Sequence, residues 1–152
     1  MTSPIQALEA TLHREIPLTR AMGLRVASWQ DLQLQLDLQL SGNTNHTGSA
    51  FGGSLYSAAV LAGWGWLQLR QQDAGLPHGQ VVIQDGQIEY PLPVFEDARA
   101  ICTAPDEALW NRFSKTYQRH GRARLGLTTR ILLADGREAV RFAGQYVLQR
   151  LP

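Results

Sequence analysis

The chain has 152 residues, 44% hydrophobic and 18% charged, with a formal net charge of +1. That is the profile of a globular chain able to bury its own core, and it excludes disordered and fibrous classes. So small a charge, without aromatic residues interleaved among the basic ones, also excludes a protein whose main task is to neutralise phosphate backbones, so no nucleic-acid partner is expected.

Cys102 is the only cysteine, so no internal disulfide can form, which suits a cytoplasmic setting. The opening MTSPIQALEATLHREIPL carries acids and lacks the apolar stretch of a signal peptide. No segment reaches the roughly eighteen consecutive apolar residues of a membrane span. His13, His46, His78 and His120 stand apart without ligand spacing, so neither a metal nor another cofactor is expected.

Along the chain, Pro4 to Glu15 reads as a short helix with Ser3 as its N-cap, Pro4 at the first helical position, and Ile5, Leu8 and Leu12 on one face. Met22, Leu24 and Val26 follow at period two. Asp31 to Leu40 then alternates polar and apolar without an error, the pattern of a strand with one buried and one wet face. Ser41 to Gly48 (SGNTNHTG) is rich in turn formers. Gly52 to Gln72 lacks alternation and is long enough for about five helical turns. Its stripe of Leu55, Ala59, Ala62, Trp66 and Leu69 is joined by further apolar and small residues, the mark of a helix buried on most sides.

The second half predicts strands. Asp85-Gly86 is a hairpin signal, but the two arms would be very short, so Val81 to Tyr90 is expected as one long strand bulged there, and Ala98 to Ala104 as the next. Pro105 to Arg119 predicts a helix with Asp106 and Glu107 in its first turn, Leu109, Phe113 and Tyr117 on its apolar face, and Gly121 past its end. Ala123–Leu133 and Glu138–Leu148 flank Asp135-Gly136, a hairpin signal. With no repeats or linkers, one domain spanning residues 1–152 is expected. The order fits an α+β class: a curled antiparallel sheet wrapped around one long buried central helix, the hotdog arrangement.

The segment most suggestive of chemistry is Asn43-Thr-Asn45-His46-Thr-Gly48-Ser-Ala-Phe51-Gly52-Gly53-Ser54-Leu55-Tyr56. It delivers two glycines to the start of the buried helix, where the first amides have no partner within the helix and lie at the positive end of its dipole. Glycine lets a ligand approach closely, and such a terminus suits the oxygen of a polarised carbonyl. The same pair also serves simply to turn the chain into the helix, and both readings stand at this level.

The wording NHTGSAFGGSLYSAAVLAGWG resembles hotdog thioesterases, in which an Asn precedes a GG that opens the central helix. It is most similar to the YiiD C-terminal type, a bacterial family sometimes fused to an acetyltransferase. VVIQDGQIEYPLPV and RARLGLTTRILLADGREAVRFAGQYVLQ are similar too, so the resemblance runs from about Ile16 onward. It implies hydrolysis of an acyl thioester carried by coenzyme A or an acyl-carrier protein. Asn45 matches the asparagine that positions water or thioester, Gly52 and Gly53 match the backbone-amide site, and Phe51 stands where many relatives have histidine. Ser54 opens the helix beside them. Many such enzymes carry an acid about two turns into the helix, where this chain has Val60.

Asp85 is the replacement base considered first, with Glu89 and His46 behind it; Asp85 reads equally as a bulge residue. Tyr56 and Ser57 can donate hydrogen bonds, and Cys102 reads as a small core residue. Arg122 and Arg124 alternate on one strand face and suit a nucleotide phosphate, or else form a solvated face. The resemblance further implies a site between subunits, hence a homodimer or dimer of dimers. Two other readings share the fold. Acyl-thioester hydration requires a His-acid arrangement with no place in this sequence. A non-catalytic module that binds acyl thioesters, coenzyme A or a partner protein is favoured by Val60.

Overall fold

The computed structural model describes residues 1–152. Helix α1 (Pro4–Glu15) starts as expected: Ser3 Oγ accepts from the Gln6 amide, and the Gln6 side chain accepts from the Ser3 amide, a reciprocal cap. A short helix not foreseen from the sequence, α2 (Leu18–Ala21), follows at once, with the Thr19 hydroxyl turned back onto Ile16 O at 2.8 Å. Strands β1 (Arg25–Gln30) and β2 (Gln33–Leu38) form a hairpin.

The alternating run is therefore shorter than expected. Asp31 and Leu32, with φ of 51° and 56°, are the two central residues of a tight turn closed by the Gln30–Gln33 pair. Positive φ at both positions matches the twist of the flanking strands. The backbone strain at Leu32 is held by the indole of Trp66, whose Nε1 donates to Leu32 O at 2.8 Å. At the other end, Leu40 leaves the sheet with its amide on Asp97 Oδ1.

The remaining elements are α3 (Gly52–Asp73), β3 (Gly79–Glu89), β4 (Ala98–Cys102), α4 (Glu107–His120), β5 (Arg122–Leu132) and β6 (Glu138–Arg150). All strand pairs are antiparallel in the order β1-β2-β4-β5-β6-β3, so β1 and β3 are the free edges. β3 is one continuous strand, as expected in place of a hairpin, with its register shift between Ile83 and Asp85, just before the Asp-Gly pair, and Gly136 with φ of 88° turns the β5–β6 hairpin. β4 stops at Cys102 because Pro105 withholds an amide and restricts Ala104. On α4 the buried face is Trp110, Phe113 and Tyr117, at spacings of three and seven on one side of the helix; Leu109, expected inside, is exposed because Trp110 packs against Trp66 in its place.

The sheet curls around α3, whose small residues set how closely it can approach. Ala58, Ala59 and Ala62 are fully buried. A Cβ on Gly63 would collide with the Tyr146 ring and hydroxyl, and one on Gly65 would lie 2.8 Å from a Leu34 methyl. Each glycine lowers helix propensity by roughly 1 kcal/mol, so sheet contact, not propensity, holds this segment helical. Trp29, Trp66 and Trp110 then continue the core edge to face, with ring centroids 6.3 and 5.7 Å apart in turn, and Phe113 follows at a tilt 5.3 Å from Trp110. Cys102 sits in this core, as expected of a small buried residue.

Candidate active site

Helix α3 begins without a side-chain cap: Phe51 occupies the N-cap position and offers no acceptor. The Ser54 and Leu55 amides turn back onto Phe51 O at 3.0 and 3.1 Å, while those of Gly52 and Gly53 donate to nothing in the chain. Two free donors thus sit at the positive end of a 22-residue helix. That is the feature the glycine pair suggested.

Three contacts hold these donors in place. The Phe51 amide donates to Asn43 O at 2.7 Å, the Ala50 amide to Val94 O at 2.7 Å, and the Tyr90 hydroxyl to Gly52 O at 2.9 Å. Asn43, which carried no assigned role in the sequence reading, is the buried member of the loop. Its Nδ2 donates to both Met22 O and Gln39 O at 2.8 Å, locking the loop onto the end of α2. Only its burial separates it from Asn45, so the Asn-Thr-Asn wording held no signal for it. In the sequence Tyr90 stands out only as part of the VVIQDGQIEYPLPV stretch; burial and the nearby Tyr56 raise its phenol above its ordinary value, so it remains a donor.

Asn45 is engaged in its own loop. Its Oδ1 accepts from Thr47 N, Thr47 Oγ1 and Ser49 N at 2.9, 2.8 and 3.2 Å, and its Nδ2 donates to Ser49 Oγ at 2.8 Å. One Nδ2 hydrogen remains uncommitted. The ring of exposed Phe51 lies across Gly53, in the space a Cβ there would occupy. Beside it a cleft of about 420 Å³ opens between α2 and the first turn of α3, with Asn43, Phe51, Gly53 and Ser54 in its wall. A larger concavity, about 710 Å³, lies across β1, β2 and β4, where the Arg99–Asp37 pair at 2.8 Å occupies part of its lining.

Phe51, Gly52, Gly53 and Ser54 stand together at the start of α3, while Asp85, Glu89, His46, Arg122 and Arg124 lie elsewhere. Asp85 pairs with Gln145 on the outer side of β3, exposed, with no hydrogen bond or ion pair. Its neighbour Gly86 faces inward, where a Cβ would strike the Tyr56 hydroxyl. Within one chain, the Asp85 carboxylate and the Gly53 amide thus lie on opposite sides of the sheet. Glu89 is partnered by Arg141 at 3.5 Å, and His46 is exposed on the loop. Arg122 and Arg124 project from the outer face of β5, alternating with buried Ala123 and Leu125, and neither forms an ion pair.

The helix supplies no base of its own. Val60 packs against the core, and its carbonyl accepts from Tyr146 Oη at 2.6 Å. Ser57 Oγ is turned back onto Gly53 O at 2.9 Å. The only acid on α3 is its last residue, Asp73, which accepts from Trp29 Nε1 at 3.0 Å, far from the start.

Residues 5–150 match the family described as "Putative thioesterase (yiiD_Cterm)". Among solved structures, a protein of unknown function from Chlorobaculum tepidum is 33% identical with a TM-score of 0.89, over 96% of this chain and 94% of its own. A Shewanella oneidensis protein described as a "putative thioesterase" is 28% identical with a TM-score of 0.85, over 96% and 97% of the two chains. The PaaI protein of Escherichia coli, from the phenylacetic acid degradation operon, shares the fold at 14% identity and a TM-score of 0.67, over 99% and 97%. The chain belongs to the YiiD C-terminal family, within the hotdog-fold thioesterase superfamily.

Proposed function

We propose that the protein hydrolyses an acyl thioester, carried by coenzyme A or an acyl-carrier protein, at the start of α3. The observation that carries this reading is the pair of free amides at Gly52 and Gly53, held in place by Asn43, Val94 and Tyr90. The thioester carbonyl oxygen is received by Gly53 N–H with Gly52 beside it, Ser54 and Phe51 flank the ligand, and the spare Nδ2 hydrogen of Asn45 orients the attacking water. Water adds to the carbonyl carbon, negative charge collects on the oxygen facing the amides, and the C–S bond breaks to release the thiol. Fixed donors of this kind contribute on the order of 3 kcal/mol each to such a transition state.

The proton of the attacking water needs an acceptor that α3 does not supply. β3 is a free edge with exposed Val82 and Ile83, and an isologous pairing of two copies through it covers both. Asp85, unpartnered on that strand, is assigned as the acceptor, supplied to the helix start of the second copy. Arg122 and Arg124 are assigned to the phosphates of the carrier. The homodimer or dimer of dimers is part of this reading.

Val60 supports a second reading, a module that binds acyl thioesters without turning them over. A panel of acyl-CoA and acyl-carrier thioesters, read by release of free thiol, decides between the two. Hydrolysis requires turnover by the wild type, a loss of roughly a hundredfold or more in Asn45→Ala, and a comparable loss in Asp85→Asn. Full turnover in Asn45→Ala removes that residue from the site. A loss confined to Asn45→Ala leaves the site standing and removes Asp85. Binding of coenzyme A without any turnover selects the module.

A further inference from the structure

The cleft between α2 and α3 has a composition unlike the rest of the surface. None of its lining side chains is charged, and two of its polar groups are turned onto backbone carbonyls. Asn43 Nδ2 donates to two carbonyls and Ser57 Oγ to a third, leaving Asn43 Oδ1, the Ser54 hydroxyl and the Gly53 amide. The remaining wall is Leu18, Ala21, Met22 and Phe51. Leu18 and Phe51 are 61% and 56% exposed, large apolar side chains standing in water at the mouth of the cleft.

The wall is also preformed. The α2 turn is closed by Met22 N on Leu18 O at 2.9 Å and Gly23 N on Arg20 O at 3.0 Å, and buried Thr19 anchors it through Ile16 O at 2.8 Å. An uncharged cleft of about 420 Å³ with the free Gly53 amide in its wall has the size of a small-molecule pocket and the polarity of an acyl chain ending in a carbonyl. Its apolar length between Leu18, Ala21, Met22 and Phe51 offers no charged partner to a phosphate or a charged carrier.

We infer that this cleft holds the acyl chain of the thioester, with Leu18, Ala21 and Met22 setting the chain length accepted; the inference rests on the thioester reading above. α2 is then a specificity element, and the carrier leaves the site in another direction. Each methylene buried in the cleft raises affinity by about fourfold, until the slot is full.

The test uses S-alkyl-CoA thioethers of increasing chain length, which bind without being cleaved, followed by calorimetry on the wild type, Ala21→Trp and Leu18→Lys. Ala21 and Leu18 are exposed, so both variants are expected to fold, and melting and sedimentation check this. The wild type should show the climb with chain length, and both variants should flatten it, lowering the octanoyl-to-acetyl ratio of kcat/KM tenfold or more. An unchanged ratio in both variants, an equal loss at every chain length, or a changed oligomeric state showing that a second copy covers the cleft would overturn the inference. A wild type that binds thioethers with the climb yet cleaves nothing ends the hydrolysis reading and keeps the cleft. A wild type that cleaves thioesters while both variants keep its preference ends the cleft alone. No binding and no cleavage ends both.

Discussion

The hydroxyl of Tyr90 donates to the carbonyl of Gly52 at 2.9 Å, joining the end of β3 to the residue that carries the first free amide of α3. The loop beyond β3 is thereby fastened to the helix start at two points, because Val94 O in the same loop receives the Ala50 amide at 2.7 Å. Tyr90→Phe keeps the ring and removes the bond. Stability should fall by about 1 kcal/mol, the usual net value of such a bond. Turnover should fall by about tenfold, more than the stability loss accounts for, because donor placement is what the bond secures. Equilibrium denaturation beside kcat on one thioester separates the two effects; unaltered kcat would remove Tyr90 from the positioning of the site.

Gly63→Ala tests how closely the sheet approaches α3. Helix propensity alone favours alanine by roughly 1 kcal/mol. The new methyl, however, would meet the ring and hydroxyl of fully buried Tyr146, which is held by Val60 O at 2.6 Å and has no room to retreat. Overpacking of this kind costs about 1–3 kcal/mol. The variant should therefore be less stable than the wild type in urea titration, with the sign opposite to the propensity prediction.

Arg122→Ala with Arg124→Ala reports on the carrier. Both side chains stand free of ion pairs on the outer face of β5, so their removal should not disturb the fold. Affinity for coenzyme A should fall, and its dependence on salt should flatten, because exposed charge contacts are screened over about 10 Å at 0.1 M salt. Short thioesters lacking the nucleotide should be bound as before. Equal loss on both substrate types would point to damage rather than to lost phosphate contacts.

Alkaline pH should destabilise the fold through Cys102. Burial pushes its thiol from 9.0 up to about 12, and Thr129 across the ladder offsets only part of this. The folded chain holds the proton where the unfolded chain releases it. The contribution is therefore complete below pH 9.0 and is lost as pH rises toward about 12. Tyr146, buried and likewise raised, adds to the decline above its ordinary 10.0. Urea midpoints between pH 8 and 11 should fall in the wild type and fall less steeply in Cys102→Ala. The thiol itself should resist alkylation until the protein unfolds.

The local signals in this sequence were strong wherever a residue's own chemistry decided the outcome. Ser3 and Pro4 define the start of α1, Gly121 with φ of 72° ends α4, and Asp135-Gly136 makes the last hairpin, each through an interaction only a few residues long. The apolar surround of α3 likewise dictates a helix enclosed by a sheet, since nothing else can cover it, and the two glycines at its start leave amides free. What the string of residues left undecided depends on contacts distant in sequence. Leu32 enters a left-handed turn because Trp66, 34 positions away, binds its carbonyl. Trp110 replaces Leu109 in the core because the edge of the Trp66 ring selects the helix face. Asn43 rather than Asn45 is buried, because only the docking of α2 brings Met22 O within its reach, and Asp85 faces away from Gly53 because the strand register at the bulge assigns it to the outer side. Composition and spacing decide which elements form and which groups they leave unsatisfied; the direction in which a side chain points is decided only when the sheet closes around α3.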